Sequence, residues 1–153
     1  VETKVLPHFD FDRMTALAVG RDWRQASPAQ RKQLAEEFRT LLVRTYSNAL
    51  TAYKDQTIEF KPLRMRSGDD QVVVRTLVSQ TGAKPISIDY DLVRRTEGWK
   101  VFDVTVAGVS LVTTYRESFA QEVRNGGFDG LIRTLQAKNR SLEGSLAARG
   151  DKK

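Results

Sequence analysis

Apolar positions along this chain recur at two spacings, helical near both ends and alternating in the middle. After Pro7, residues Met14, Leu17 and Ala18 share one face of a short helix, with Asp10 placed to cap its start and Gly20 to stop it. The run Ser27-Pro28-Ala29-Gln30 joins a capping serine, a proline at the first helical position and a glutamine three residues past the cap, which marks a second helix start. From there Leu34, Phe38, Leu41, Leu42, Thr45, Tyr46, Ala49 and Tyr53 advance by threes and fours, while Arg31, Lys32, Glu36, Arg39 and Lys54 fall mostly elsewhere on the wheel. This spacing predicts the long helix of the domain.

Beyond Lys54 the period becomes two and predicts four strands. They carry Ile58 and Phe60; Val72, Val74, Thr76 and Val78; Ile86, Ile88, Tyr90 and Leu92; and the stretch from Trp99 to Val106. The turn-forming links Ser67-Gly68-Asp69-Asp70, Thr81 to Pro85 and Thr96-Glu97-Gly98 are too short for crossover helices, so the strands should form an antiparallel meander. Pro62 suits an edge position or a bulge. Helical spacing resumes after Gly108 with Leu111, Tyr115, Phe119 and Val123, and Asn125-Gly126-Gly127 should close that helix. A last helix carries Leu131, Ile132 and Leu135. From Lys138 to Lys153 apolar residues are sparse, which predicts a basic, loosely docked or partly disordered tail.

The expected fold is therefore α+β, a single domain over 1–153 in which helices cover one face of a curved, four-stranded antiparallel sheet. Such a sheet forms a half-cone, and incomplete closure by helices leaves a deep apolar pocket.

Composition narrows the chemistry. The 153 residues are 40% hydrophobic, enough for a core without metals or disulfides. The absence of cysteine excludes a disulfide framework, a thiolate nucleophile and a zinc-thiolate site. No apolar run approaches the roughly 20 residues that span a bilayer, which predicts a soluble chain. Lys and Arg outnumber Asp and Glu by 25 to 19, a balance that suits anionic partners. Nucleic acid is not expected among them, because the aromatics sit on apolar stripes and the basic residues are scattered.

The single histidine, His8, is expected at the surface, so neither a histidine metal cluster nor a serine triad has its parts. Gly126 to Gly130 follows a helix and lacks the phosphate-loop pattern, reading as a stop and turn. Among the acids, Asp89, Asp91 and Asp103 lie in strands. Asp103, or else Asp91, is the candidate general base if the half-cone is an enzyme on an apolar substrate. A structural acid partnered by Arg75 or Arg94 is the competing reading. A third is a protein-interaction module whose apolar interior is only core.

The stretch from Trp99 to Arg116, with W-K-V, then Asp103-Val104, then Val106-Ala107-Gly108-Val109-Ser110-Leu111-Val112, then Tyr115-Arg116 and Phe119, closely resembles the hallmark of the MlaC or toluene-tolerance family. Leu17 to Gly20, Trp23-Arg24 ahead of Ser27-Pro28 and Gln30, Phe38, Leu41-Leu42, Tyr46, Tyr90, and Gly130-Leu131-Ile132 with Leu135 extend the likeness to nearly the whole chain. The resemblance implies a periplasmic phospholipid carrier with no catalytic centre and no cofactor other than its cargo. It also implies a nuclear-transport-factor-like half-cone that buries acyl chains and leaves the headgroup near solvent. The partners implied are an outer-membrane lipoprotein complex and an inner-membrane ABC transporter, in the service of outer-membrane lipid asymmetry. The carrier is expected to be a monomer, to touch membrane surfaces transiently, and to have lost a signal peptide ahead of Val1.

Within that expectation, one buried methylene is worth roughly 0.8 kcal/mol, so a lipid with about 30 of them faces a barrier on the order of 20 kcal/mol to enter water alone. The expected lining is the sheet face bearing Val74, Thr76, Val78, Ile88, Tyr90, Leu92, Val104 and Val106. Leu42 and Tyr46 should join it from the long helix, with Val109, Val112, Tyr115 and Phe119 opposite. Periodicity alone leaves ordinary core as the alternative for each. Gly108 should allow the turn out of the last strand, Ser110 should cap the next helix, and Arg116 should be solvated or in a structural salt bridge, with the lipid phosphate as the alternative partner.

Overall fold

The computed structural model describes residues 6–51 and 57–150, and side chains over 6–45 and 57–144. Helix α1 (Phe11–Val19) begins where Asp10 caps it, its carboxylate accepting from the Arg13 N–H at 3.1 Å, and ends at Gly20, whose φ of 83° is left-handed. Helix α2 (Pro28–Thr51) opens on the expected capping box. The Gln30 N–H donates to the Ser27 hydroxyl at 3.1 Å, and the Ser27 N–H to the Gln30 side-chain oxygen at 3.0 Å.

Five strands follow, β1 (Thr57–Phe60), β2 (Gln71–Ser79), β3 (Ile86–Arg95), β4 (Gly98–Val106) and β5 (Val109–Ser110), each antiparallel to the next in the order of the chain. The meander is as expected, but it has five strands where alternation predicted four. The difference arises at Ala107 and Gly108, whose φ values of 50° and 85° are the two positive dihedrals of a two-residue hairpin, so the chain doubles back beside β4. Two-residue strands carry no periodicity of their own. The helix expected to start at Leu111 is displaced to Arg116 for the same reason, with a single 3₁₀ turn at Thr113–Tyr115 between them.

Helix α3 (Arg116–Gly150) is broken at Gly127, where φ of 68° and ψ of −170° leave the helical region at the predicted stop. From Lys138, where a loosely docked or partly disordered tail was expected, the backbone continues α3 to Gly150. Polar contacts hold it to α2. The Asn139 side-chain amide donates to the Glu37 carbonyl at 3.0 Å and carboxylate at 2.8 Å, and the Arg44 guanidinium donates to the Asn139 carbonyl at 2.6 Å.

The main core lies among the helices. Met14, Ala18 and Val19 of α1, Leu34, Phe38, Leu41 and Leu42 of α2, and Phe119, Leu131, Ile132 and Leu135 of α3 close around Val112. No strand residue belongs to this buried cluster; Phe102 of β4 touches it only from its edge. The layers join where the start of α1 meets β3 and β4: the Asp10 N–H donates to the Val101 carbonyl at 2.8 Å, Arg95 grips the Asp10 carboxylate at 2.7 Å, and the Arg13 guanidinium lies over the Phe102 ring at 4.4 Å.

Candidate functional site

Residues paired directly across antiparallel strands share a face, so the register specifies the surface of the sheet. Val72, Leu92 and Val101 form one row, Val74, Tyr90 and Val104 a second, and Thr76, Ile88 and Val106 a third, with Val78 beside Ile86 beyond them. The register brings together all eight sheet positions expected from alternation. It adds Ile58, opposite Val78, and Phe60, opposite Thr76, which alternation had marked as strand without fixing how β1 aligns with β2.

One feature of this face separates it from ordinary core. Thr76 and Val78 are buried, but Val74, Ile88, Tyr90, Leu92, Val104 and Val106 are only partly so. An apolar sheet face normally closes against a helix layer. Here the buried core of the helices is complete without these side chains. Two side chains in the three rows carry a polar group, Thr76, whose hydroxyl is satisfied locally by donating to the Ile88 carbonyl at 2.7 Å, and Tyr90. A surface of this kind holds hydrocarbon without direction.

The positions expected opposite the sheet are placed differently. Leu42, Val112 and Phe119 lie inside the helical core, and Tyr115 packs at its border, edge-on to Phe38 with ring centroids 5.4 Å apart. Val109, on β5, is 57% exposed. The side chain of Tyr46 lies outside the described residues. Sequence spacing had grouped all of these as inward-facing, but Leu42, Val112 and Phe119 face other helices and Val109 faces outward.

The opposite face of the sheet carries the acids. Asp91 sits directly across from Asp103, with Asp89 two residues along β3. Partial burial, with the Asp103 and Asp89 carboxylates as neighbours, pushes the Asp91 carboxyl above its ordinary range. A cleft of about 270 Å³ with a mixed polar and apolar lining lies beside it, bordered by Arg64, Arg75 and Phe102.

Asp103 is built into the backbone rather than poised as a base. The Ser110 hydroxyl lies 2.8 Å from both its oxygens, and the Val104 N–H donates to one of them at 2.7 Å. Ser110 in turn accepts from the N–H groups of Val112 and Thr113, so the pair fixes the exit from β5 into the following turn. This replaces the arginine partners expected for Asp103. Arg116, expected to meet an acid or a phosphate, instead donates twice from its guanidinium to the Leu17 carbonyl, at 2.9 and 3.1 Å, closing the last turn of α1. His8 is exposed. Among the described residues no group of three His, Cys, Asp or Glu side chains could hold a metal, and no helix is long and apolar enough to cross a membrane.

Residues 1–137 match the model of the family described as MlaC protein. The chain is 24% identical over 139 residues to the intermembrane phospholipid transport system binding protein MlaC of Haemophilus influenzae, across 89% of this chain and 65% of that protein. It is 30% identical over 106 residues to the toluene tolerance protein ttg2D of Pseudomonas putida, across 69% and 49% of the respective chains. The chain thus spans from about half to just under two thirds of these relatives' lengths. Its fold matches that of a phospholipid-binding protein from Ralstonia solanacearum, solved in complex with a phospholipid, with a TM-score of 0.86 and 40% identity over 94% of this chain and 80% of that one.

Proposed function

The chain belongs to the MlaC family, and from that premise we propose that it is a periplasmic carrier holding the acyl chains of a phospholipid against the apolar face of its sheet. The observation that carries the proposal is the incomplete burial of Val74, Ile88, Tyr90, Val104 and Val106 beside a helical core that is closed without them. Its support outside the chain is the phospholipid bound by a protein of the same fold at 40% identity. In this reading the half-cone of sheet and helices forms an apolar pocket walled by that sheet face. The carrier exchanges lipid with an outer-membrane lipoprotein complex on one side and an inner-membrane ABC transporter on the other. It works as a monomer, needs no cofactor and performs no catalysis.

Native mass spectrometry of the purified protein, followed by extraction and lipid analysis, tests this. The expected result is a stoichiometric adduct with the mass of a diacyl phospholipid. A protein that is free of lipid and stays so after incubation with phospholipid vesicles would overturn it.

A further inference from the structure

The outer rim of the sheet has a character that cargo binding does not account for. β1 is the edge strand, and the chain leaving it reads Phe60-Lys61-Pro62-Leu63-Arg64-Met65-Arg66, three cations and three large apolar side chains without a carboxylate. Phe60 is 70% exposed, Leu63 52% and Met65 45%, and Lys61, Arg64 and Arg66 are all exposed. Single exposed apolar residues are ordinary, but a contiguous group marks a surface that meets something. Ile58, 43% exposed, continues the group along β1.

The backbone here is poorly suited to a partner strand. The Lys61 N–H turns inward to the Arg75 carbonyl at 2.9 Å, and Pro62 has no N–H to offer a neighbour. The side chains suit a lipid surface instead. Apolar groups that enter the headgroup boundary, flanked by cations that meet lipid phosphates, are the pattern of interfacial membrane binding.

We propose that residues 60–66 dock the protein on an anionic phospholipid surface, with Phe60, Leu63 and Met65 entering the interface and Lys61, Arg64 and Arg66 pairing with phosphates. The segment continues from Phe60, which lies opposite Thr76 in the apolar rows of the sheet. Docking would therefore bring one end of the cargo face to the membrane. The purpose of the surface rests on the carrier reading; its existence does not.

The test is flotation of the purified protein with vesicles of phosphatidylethanolamine and phosphatidylglycerol, and with vesicles of phosphatidylcholine alone. Wild type should float with the anionic vesicles and lose binding as salt is raised. Each cation near such a surface is worth about fivefold, so Lys61→Gln/Arg64→Gln/Arg66→Gln should weaken binding on the order of 100-fold. Phe60→Ser/Leu63→Ser should weaken it even at low salt. Lys32→Gln/Arg124→Gln/Arg133→Gln makes the same change in net charge on exposed helical positions and should bind nearly as wild type. Variants of residues 60–66 that float like wild type, a helical control that loses as much as the rim variant, or a wild type that floats with neither vesicle would each overturn the inference. Lipid content is read on the same samples by native mass spectrometry. A wild type that floats but carries no lipid refutes the carrier reading alone; one that carries lipid but does not float refutes the docking surface alone.

Discussion

Truncating the sheet face should separate two energies that a closed core would merge. Ile88→Ala/Val104→Ala/Val106→Ala removes roughly seven carbons, worth about 6 kcal/mol if all were buried on folding. These side chains are only partly buried in the ligand-free protein, so about half that sum, about 3 kcal/mol, should appear as lost folding stability. The other half is gained only when hydrocarbon covers the face, and its loss should weaken phospholipid binding on the order of 100-fold. Leu41, wholly buried among the helices, supplies the contrast. Leu41→Ala should cost about 2–5 kcal/mol of stability, or roughly 2–4 °C of melting temperature per kcal/mol, and leave lipid affinity unchanged. Urea denaturation of delipidated protein gives the first quantity, and titration with a fluorescent phospholipid gives the second. If the triple variant lost the full sum on unfolding while binding lipid as before, the face would be ordinary core and the reasoning would fail.

Three further outcomes rest on local geometry. Asp103→Asn should keep bound lipid, because the residue anchors Ser110 and not a substrate; Ser110→Ala should cost about 1–3 kcal/mol in urea denaturation by leaving the Asp103 carboxylate with the Val104 N–H alone and taking the acceptor from two N–H groups. Asp91 has a folded-state pKa raised above its unfolded value near 3.8, so its ionisation opposes folding. Stability should fall as pH rises from that value through the folded pKa, and Asp91→Asn should shift the urea midpoint upward at pH 7 by more than in the acid, where the wild-type carboxyl is already neutral. At the break in α3, Gly127→Ala forces a side chain into a positive φ and should destabilise by more than about 1 kcal/mol, whereas Gly126→Ala, helical and with open space at its Cβ, should be neutral or stabilising; equal shifts in melting temperature would refute this.

What the sequence made legible was local. Asp10 with Arg13, and Ser27 with Gln30, are contacts three residues apart, and strand alternation is a property of the strand itself. What it hid was long-range. Arg116 bonds to the Leu17 carbonyl, 99 positions away, and no spacing rule links them. The stretch of α3 around Asn139 is held to α2 by Glu37 and Arg44, polar contacts to which a reading of apolar residues is blind. β5 depends on a hairpin with a positive φ at Ala107, a residue whose type gives no warning of it. For the site, periodicity put Val104 and Val112 in the same class. It tells which side chains face inward but not what they face, and Val112 meets helices where Val104 meets a half-open sheet surface.

Under the proposed carrier function, that distinction bears on how the protein survives being empty. Cargo leaves, so the contacts that keep the protein folded have to be ones that cargo does not make. Phe38, Tyr115 and Phe119 pack as an aromatic trio with centroids 5.4–5.5 Å apart, and Leu34, Leu41 and Leu131 are fully buried in the same helical core. The sheet is held by its own ladder of hydrogen bonds and by the junction of Asp10 and Arg13 with β3 and β4. In that reading loading adds apolar burial to a protein whose helical core is already complete, so cargo affinity and fold stability should be set by different residues. A lipid site made from the main core would couple them, and release would then begin to unfold the carrier.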